Sequence, residues 1–321
     1  MSARDRVVLL VGGVGGAKLA LGLAHALPPE SLTVVVNTAD DFEHLGLHVS
    51  PDVDTLMYTL SGLANEQFGW GVEGDTLQAM GMIERLGGPA WFNLGDRDLG
   101  TNLMRTALLR EGHTLSEVTR RLSRALGVEP ALLPMSDDRV RTVLGTDRGD
   151  LSFQVYFVRE QWQPPVRSIR FEGCEDAQPS EPAAEALDRA TLIVFGPSNP
   201  FLSIDPILSI PGIRQRIAGS RAPRVAVTPL IGGQAVKGPT AKLMAEMGMD
   251  VSPVGVARHY GALIDGFVLD VADRDLFDHL IRRADSHERN RLLALASRKG
   301  ADHGWLDAAI SVIRESGLGA P

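Results

Sequence analysis

The chain has 321 residues, 44% of them hydrophobic and 22% charged, with a formal net charge of -8. Such a length buries a substantial core as one large α/β domain or two smaller ones, the acidic balance excludes a non-specific nucleic-acid binder, which needs a basic face, and no apolar stretch approaches a membrane span. With a single cysteine, Cys174, no internal disulfide can form, so a reducing, cytoplasmic setting is expected; the apolar run from Val7 to Val11 is cut short by glycines and does not read as a signal peptide.

Val7-Val8-Leu9-Leu10-Val11 is a continuous, β-branched-rich run ending in glycine, the pattern of a strand buried on both faces. After Gly12-Gly13-Val14-Gly15-Gly16, residues Ala17 to Leu27 carry leucines at helical spacing and stop at Pro28-Pro29. Leu32 to Val36 is a second buried strand, which completes a βαβ unit and implies a parallel sheet. Further on, Thr114-Leu115-Ser116-Glu117 is a capping box, and Leu115, Val118, Leu122 and Leu126 give the following helix one apolar face. Leu151, Phe153, Val155 and Phe157 alternate with Ser152, Gln154 and Tyr156, which predicts a strand. Phe171 to Glu185, with two prolines and five acidic residues, reads as an exposed connector. The strands Thr191–Phe195 and Arg224–Thr228 each end in a Gly/Pro-rich loop, Gly196-Pro197-Ser198-Asn199-Pro200 and Pro229-Leu230-Ile231-Gly232-Gly233. The expected fold is a single α/β domain over residues 1–321, a Rossmann-like doubly wound parallel sheet with a helix-rich insertion at roughly 60–185. Loops at the carboxyl ends of parallel strands line the ligand crevice, so residues 12–16, 37–41, 196–200 and 229–233 are expected to converge.

Four aspartates, Asp40, Asp41, Asp52 and Asp54, crowd the exit of the second strand. Clustered buried carboxylates need a cation or hydrogen-bond donors, whereas single aspartates at such places are turn and cap formers. The glycine turn lies where a helix N-terminus presents N–H groups to an anion, and close packing of helix on strand is the other use of such glycines. It is neither a P-loop, which needs Ser or Thr after the lysine, nor a dinucleotide fingerprint, since Lys18 stands where the third glycine belongs. In Gly95-Asp96-Arg97-Asp98 the arginine either anchors a phosphate or closes an ion-pair network with its flanking aspartates, and residue types favour the ion pairs; Asp137-Asp138-Arg139 invites the same two readings. Trp70, Trp91 and Phe92 could stack on a flat ring or belong to the core. His44, His48, His113 and His259 show no metal-ligand spacing, and Gly196-Pro197-Ser198-Asn199-Pro200 lacks the last glycine of a nucleophile elbow.

Taken together and in order, Gly12-Gly13-Val14-Gly15-Gly16-Ala17-Lys18, Asn37-Thr38-Ala39-Asp40-Asp41, Ser50-Pro51-Asp52-Val53-Asp54-Thr55, Leu94-Gly95-Asp96-Arg97-Asp98, Leu133-Pro134-Met135-Ser136-Asp137-Asp138 and Gly196-Pro197-Ser198-Asn199-Pro200 resemble the 2-phospho-L-lactate transferase family of coenzyme F420 biosynthesis, its phosphoenolpyruvate-using bacterial members above all. The resemblance runs from about residue 7 to at least residue 270. It implies a Rossmann-like, magnesium-dependent transferase, commonly a homodimer, acting on the deazaflavin Fo and a guanosine-diphosphate-activated three-carbon acid. It assigns Gly13, Gly15 and Gly16 to the diphosphate, beside which Lys18, by its place after the glycine turn, favours a phosphorylated ligand; Ser198 and Asn199 to the nucleotide end, Asp40 and Asp54 to the metal or the Fo hydroxyl, and Asn93 and Arg97 to the deazaflavin. Where some members carry lysine before Leu-Gly-Asp-Arg-Asp, this chain has Asn93. An Asp54→Asn change is then expected to remove turnover and leave the fold intact. Two alternatives stand beside this reading: an NAD-dependent oxidoreductase, from the βαβ unit with an acidic residue downstream, and a regulatory protein of related fold that binds a nucleotide sugar.

Overall fold

The computed structural model describes residues 6–273, apart from 68, 233, 236 and 237, together with residues 293–297. The buried runs form the strands they predict. β1 (Val7–Val11) and β2 (Leu32–Val36) pair in parallel through α1 (Gly13–Ala26). A tight hairpin follows, β3 (Phe42–His44) and β4 (Leu47–Val49), turning at Leu45 and Gly46, both with positive φ as a type I′ turn requires. Next come α2 (Pro51–Leu60), α3 (Gln78–Arg85), α4 (Asp96–Arg110) and α5 (Leu115–Ala125), then β5 (Ala131–Pro134). A small antiparallel sheet is built from β6 (Arg141–Thr146), β7 (Gly149–Ser152) and β8 (Val166–Glu172), in the order β7-β6-β8. The second half alternates α6 (Glu181–Asp188), β9 (Leu192–Phe195), α7 (Asp205–Ser209), α8 (Ile213–Gly219) and β10 (Arg224–Val227). It ends with the two-residue strands β11 (Leu230–Ile231) and β12 (Gln234–Ala235), α9 (Thr240–Glu246), α10 (Pro253–Tyr260), β13 (Gly266–Asp270) and β14 (Leu293–Ser297).

The central sheet is parallel throughout, in the order β5-β2-β1-β9-β10-β13, with β14 added outside β13. This is the doubly wound order, with the chain reversing direction across the sheet between β1 and β9. Its two faces bury different residues of the same strands. Leu10, Val35, Ile193 and Phe195 pack with Leu187, Ile207, Ile217 and Tyr260, whereas Leu9, Val11, Val34 and Val36 pack with Leu19, Leu23, Leu56 and Met57. That period-2 division of a continuous apolar run is what a sheet covered on both sides demands.

Three expectations change. The segment 60–185 is not one excursion from the sheet, because β5 within it pairs with β2 as a sheet strand; the helices α3 to α5 leave before it and the small sheet follows it. The alternating stretch at Leu151 leaves the strand after Ser152 and coils into a turn of π-helix over Val155–Arg159. There Phe153 and Phe157 stack with centroids 5.3 Å apart and Tyr156 is buried, contacts that a four-residue helical spacing makes and a strand cannot. The acidic connector is shorter than its composition implies, since β8 runs through Glu172 and α6 starts at Glu181 with Pro182 in its first turn, where a missing N–H costs nothing.

The capping box closes as read: the Glu117 N–H donates to Thr114 Oγ1 at 3.2 Å and the Thr114 N–H donates to Glu117 Oε2 at 3.0 Å. A Thr114→Ala variant should therefore lose about 1 kcal/mol. Urea denaturation measures it, and an unchanged midpoint would mean that packing of Leu115 and Val118 alone holds α5.

Candidate active site

The site lies at the carboxyl ends of β1 and β9, where the sheet reverses. Ser198 clasps the backbone of Gly12 there, its Oγ accepting from the Gly12 N–H at 3.1 Å and donating to the Gly12 carbonyl at 2.7 Å. α1 begins at Gly13, so Gly15 and Gly16 sit in its first turn rather than in a preceding loop. A Cβ on Gly16 would lie 2.5 Å from Val11 Cβ and 2.8 Å from Ser198 Oγ, and one on Gly15 would run into the Pro197 carbonyl. These glycines are thus required by the close approach of α1 to β1 and to the loop after β9. Gly13 has φ +62° and donates its N–H to Asp52 Oδ1 at 2.8 Å. Asn37 Nδ2 holds the other Asp52 oxygen at 3.0 Å and donates also to the Leu202 carbonyl at 3.2 Å. Residues 12–16, 37–41 and 196–200 therefore meet; residues 229–232 follow β10, the next strand of the sheet, with the Gly232 N–H on Asp273, while Gly233 lies outside the described residues.

Beyond the turn stands a wall of buried carboxylates. Asp40 is 4% exposed and its Oδ1 has no hydrogen-bond partner; burial first, then the Asp52 and Asp41 charges, push its pKa well above the ordinary value. The small sheet and the turn after it clasp its loop, with the Thr142 N–H of β6 on the Ala39 carbonyl at 2.8 Å and Gln154 Nε2, just past β7, on the Asp40 carbonyl at 3.1 Å. Asp41 takes Ser50 Oγ at 2.8 Å and His48 Nε2 at 3.1 Å through Oδ2, leaving its buried Oδ1 unpartnered. Burial pushes Asp52 up to about 6, despite the Asn37 and Gly13 donors. Asp54 faces the fully buried Arg105, Oδ2 accepting from Nη1 at 3.1 Å and Oδ1 pairing with Nη2; its pKa is raised by burial, against which the guanidinium pulls down. Asp52 and Asp54 fall in the first turn of α2, the helix end that favours negative charge.

The remaining candidates spread along the rim. Lys18 is exposed on α1, and Asn199 caps the turn after β9, its Oδ1 accepting from the Phe201 and Leu202 N–H groups while its buried Nδ2 is unpartnered. Asn93 and Arg97 are exposed at the start of α4. The ion-pair network expected around Arg97 does not form: its Nη1 donates to the Glu73 carbonyl at 3.2 Å. Asp96 instead binds the Ala79 N–H at 2.9 Å at the head of α3, and Asp98 accepts from Tyr58 Oη at 2.8 Å. Asp137 and Asp138 likewise go to backbone N–H groups, of Ser116 and Gln178. Free N–H groups at helix starts and turns outcompete a solvated arginine for these carboxylates. Trp91 and Phe92 pack with Phe42 and His44, ring centroids 4.7 to 6.2 Å apart. His44 Nε2 is buried without a partner and its pKa is lowered by burial.

Sequence reasoning passed over Arg105 and Tyr58, and gave Asn37 no role of its own within the 37–41 loop. The readable signal was Asp98, Asn102 and Arg105, spaced four and three on one helix and so on one face.

Among the described residues no group of three or more His, Cys, Asp or Glu side chains is arranged to hold a metal ion. Magnesium nevertheless suits one or two carboxylates completed by waters and phosphates, and the orphaned, buried Asp40 Oδ1 has the chemistry for it.

The 2-phospho-L-lactate transferase CofD profile matches residues 7–296 of this chain. The chain belongs to that family. It is 43% identical to a phosphoenolpyruvate transferase of Streptomyces griseus over 274 residues, covering 84% of this chain and 86% of the relative. Against a 2-phospho-L-lactate transferase of Methanosarcina mazei it is 40% identical over 268 residues, 84% of this chain and 88% of the relative. A crystal structure of a UPF0052 family protein from Bacillus halodurans superposes with a TM-score of 0.60 at 19% identity, covering 96% of this chain and 98% of that one, a likeness of fold. The chain is thus a transferase of the CofD family, and the oxidoreductase and regulatory readings are not favoured. No helix among the described residues is long and apolar enough to cross a membrane.

The Asp40 carboxyl gives a pH prediction. Its native pKa lies above the ordinary 3.8, so over that window the native state binds more protons than the unfolded chain, and stability falls as pH rises. Asp52, at about 6, adds the same sign. Asp40→Asn should flatten this decline and raise the melting temperature at pH 7.5 in EDTA. Equal slopes in variant and parent would refute the buried charge.

Proposed function

We propose that this transferase moves the phosphate-linked three-carbon acid of a guanosine-diphosphate-activated donor, lactyl-2-diphospho-5'-guanosine or its enolpyruvyl counterpart, onto the terminal ribityl hydroxyl of Fo. The hydroxyl oxygen forms the new P–O bond, the phosphoanhydride bond breaks with its electron pair on GMP, and the hydroxyl proton is released. The product is F420-0 or its dehydro form. What supports the reading, in a chain of this family, is the unpartnered buried Asp40 oxygen beside the glycine-started helix at the sheet's switch point. Phosphoryl transfer depends on in-line positioning and on charge neutralisation at the phosphate oxygens.

In this proposal Asp40 holds Mg²⁺, which when bound offsets charge on the transferred phosphate. Asp54 suits the Fo hydroxyl, since its oxygens already face Arg105 and each carboxylate oxygen still has a lone pair to accept one more hydrogen bond. The first turn of α1, with Gly13, Gly15, Gly16 and Lys18, meets the diphosphate; Ser198 shapes that turn through Gly12, and Asn199 offers its free Nδ2 to the nucleotide. Asn93 and Arg97 meet the deazaflavin. A homodimer, on the strength of the family resemblance, and a cytoplasmic setting, from the single cysteine, complete the proposal.

Mixing the protein with Fo, Mg²⁺ and the activated acid should release GMP, and EDTA should stop it; no GMP above a no-enzyme control would sink the proposal. Mass analysis of the product separates the two donors, which differ by two hydrogens. GDP should raise the melting temperature where NAD(H) does not.

The ion pair revises the expectation for Asp54→Asn. Turnover should be lost, but the fold should not stay intact at full strength, because Arg105 keeps a buried charge with no counter-ion, an effect of about 3–5 kcal/mol. Thermal melts alongside the GMP assay check it, and a variant of parental stability would argue that water reaches Arg105.

A further inference from the structure

We propose that Arg105 is a positioning residue of the transfer site: it fixes the Asp54 carboxylate and holds it at a set distance from the start of α4. The proposal rests on the placement of Asp54 in that site.

Arg105 is 0% exposed and among the largest fully buried side chains of the molecule. Its two terminal nitrogens each face a different Asp54 oxygen, Nη1 donating to Oδ2 at 3.1 Å and Nη2 to Oδ1. Nη1 also donates to Asn102 Oδ1 at 2.6 Å and to the His48 carbonyl at 3.5 Å. A planar fork meeting both oxygens of a carboxylate sets its rotation as well as its place, which a lysine cannot do.

A buried ion pair is a poor route to stability, since apolar side chains of similar volume usually serve as well. What distinguishes this one is where its contacts lead. Asn102 Nδ2 donates to the Asp98 carbonyl at 2.9 Å and to Asp98 Oδ1 at 3.2 Å, and the same Oδ1 accepts from Tyr58 Oη at 2.8 Å. Tyr58 lies one turn after Asp54 on α2, so α2 and α4 are tied at two points. Asp98 adjoins Arg97, and His48 binds Asp41. Thr106, next to Arg105, accepts the His48 N–H at 2.8 Å through Oγ1. The arginine thus sits behind three elements that face the proposed substrates: the acidic loop through His48, the first turn of α2 through Asp54, and the head of α4 through Asn102 and Asp98. A hydroxyl met by Asp54 and a ring system met by Asn93 or Arg97 are ends of one molecule in the proposed reaction. The Arg105 network fixes the spacing between them.

The test compares full-length Arg105→Lys and Arg105→Gln with the parent. Its readouts are kcat and KM for each substrate, Fo affinity by fluorescence without donor, and the melting temperature. Both variants should be assayed below their melting temperatures. The expected result is a loss of kcat of about 100-fold, the scale of a misplacement near 1 Å. Fo affinity should also weaken, with KM for the guanosine donor moving less than about twofold. Lysine should recover stability without recovering kcat. On an Asp54→Asn background, where turnover is lost, Arg105→Gln should change Fo affinity by less than about threefold, because the arginine acts through that carboxylate. Folded variants with parental kcat and Fo affinity, or variants that never fold, assign Arg105 to stability alone and overturn the proposal. A parent that releases no GMP overturns the transfer reading instead.

Discussion

Four carboxylates, Asp40, Asp41, Asp52 and Asp54, lie buried together where β2 ends and α2 begins, and the surrounding structure is organised by what answers each charge. Asp52 is met by the Gly13 N–H and Asn37, Asp41 by His48 and Ser50, and Asp54 by Arg105. Asp40 Oδ1 is left open, as Asp41 Oδ1 is, and burial together with both acidic neighbours raises the proton affinity of Asp40. Like charges at such spacing can all ionise only if each has donors or a cation. The start of α1 with Asn37, the end of β4 with Ser50, and Arg105 on α4 supply the donors for three of the four.

The sheet follows from the same constraint seen from the other side. For the acidic loop to close on α1, the loop after β9 must approach β1 at backbone distance, which Gly15 and Gly16 allow and which Ser198 holds through both backbone groups of Gly12. The doubly wound order places that contact at the one point where neighbouring crossovers leave in opposite directions. Open parallel sheets leave a crevice at such a switch point, and Asp52 reaches it through its bond to the Gly13 N–H.

Most of this frame was legible in the chain. Continuous apolar runs announced β1, β2, β9 and β10, because strands covered on both faces need nothing else, and the Thr114-Glu117 box announced α5. The alternation at Leu151 misled because Phe153 and Phe157 satisfy a two-residue and a four-residue period equally, and only tertiary packing chooses between them. The aspartate cluster was readable as a cluster; its partners were not. Arg105 lies about fifty residues from Asp54, and no local period links two helices across such a separation. Short-range charge patterns were the poorest guide. Asp96, Asp98 and Arg97 adjoin in sequence yet point to three different partners, since successive residues of a helix face different directions.

The bond between Asp52 and the Gly13 N–H carries one more consequence. A helix start that usually waits for a guest is here already occupied by the protein's own anion. A phosphate arriving at α1 meets a resident competitor, so its binding there is an exchange: the newcomer's hydrogen bond is gained as the carboxylate's is given up. Free inorganic anions gain little from such a swap. A ligand that brings a cation or a second anchoring group along with its phosphate gains more, and the fold thereby discriminates by valence and reach rather than by charge alone.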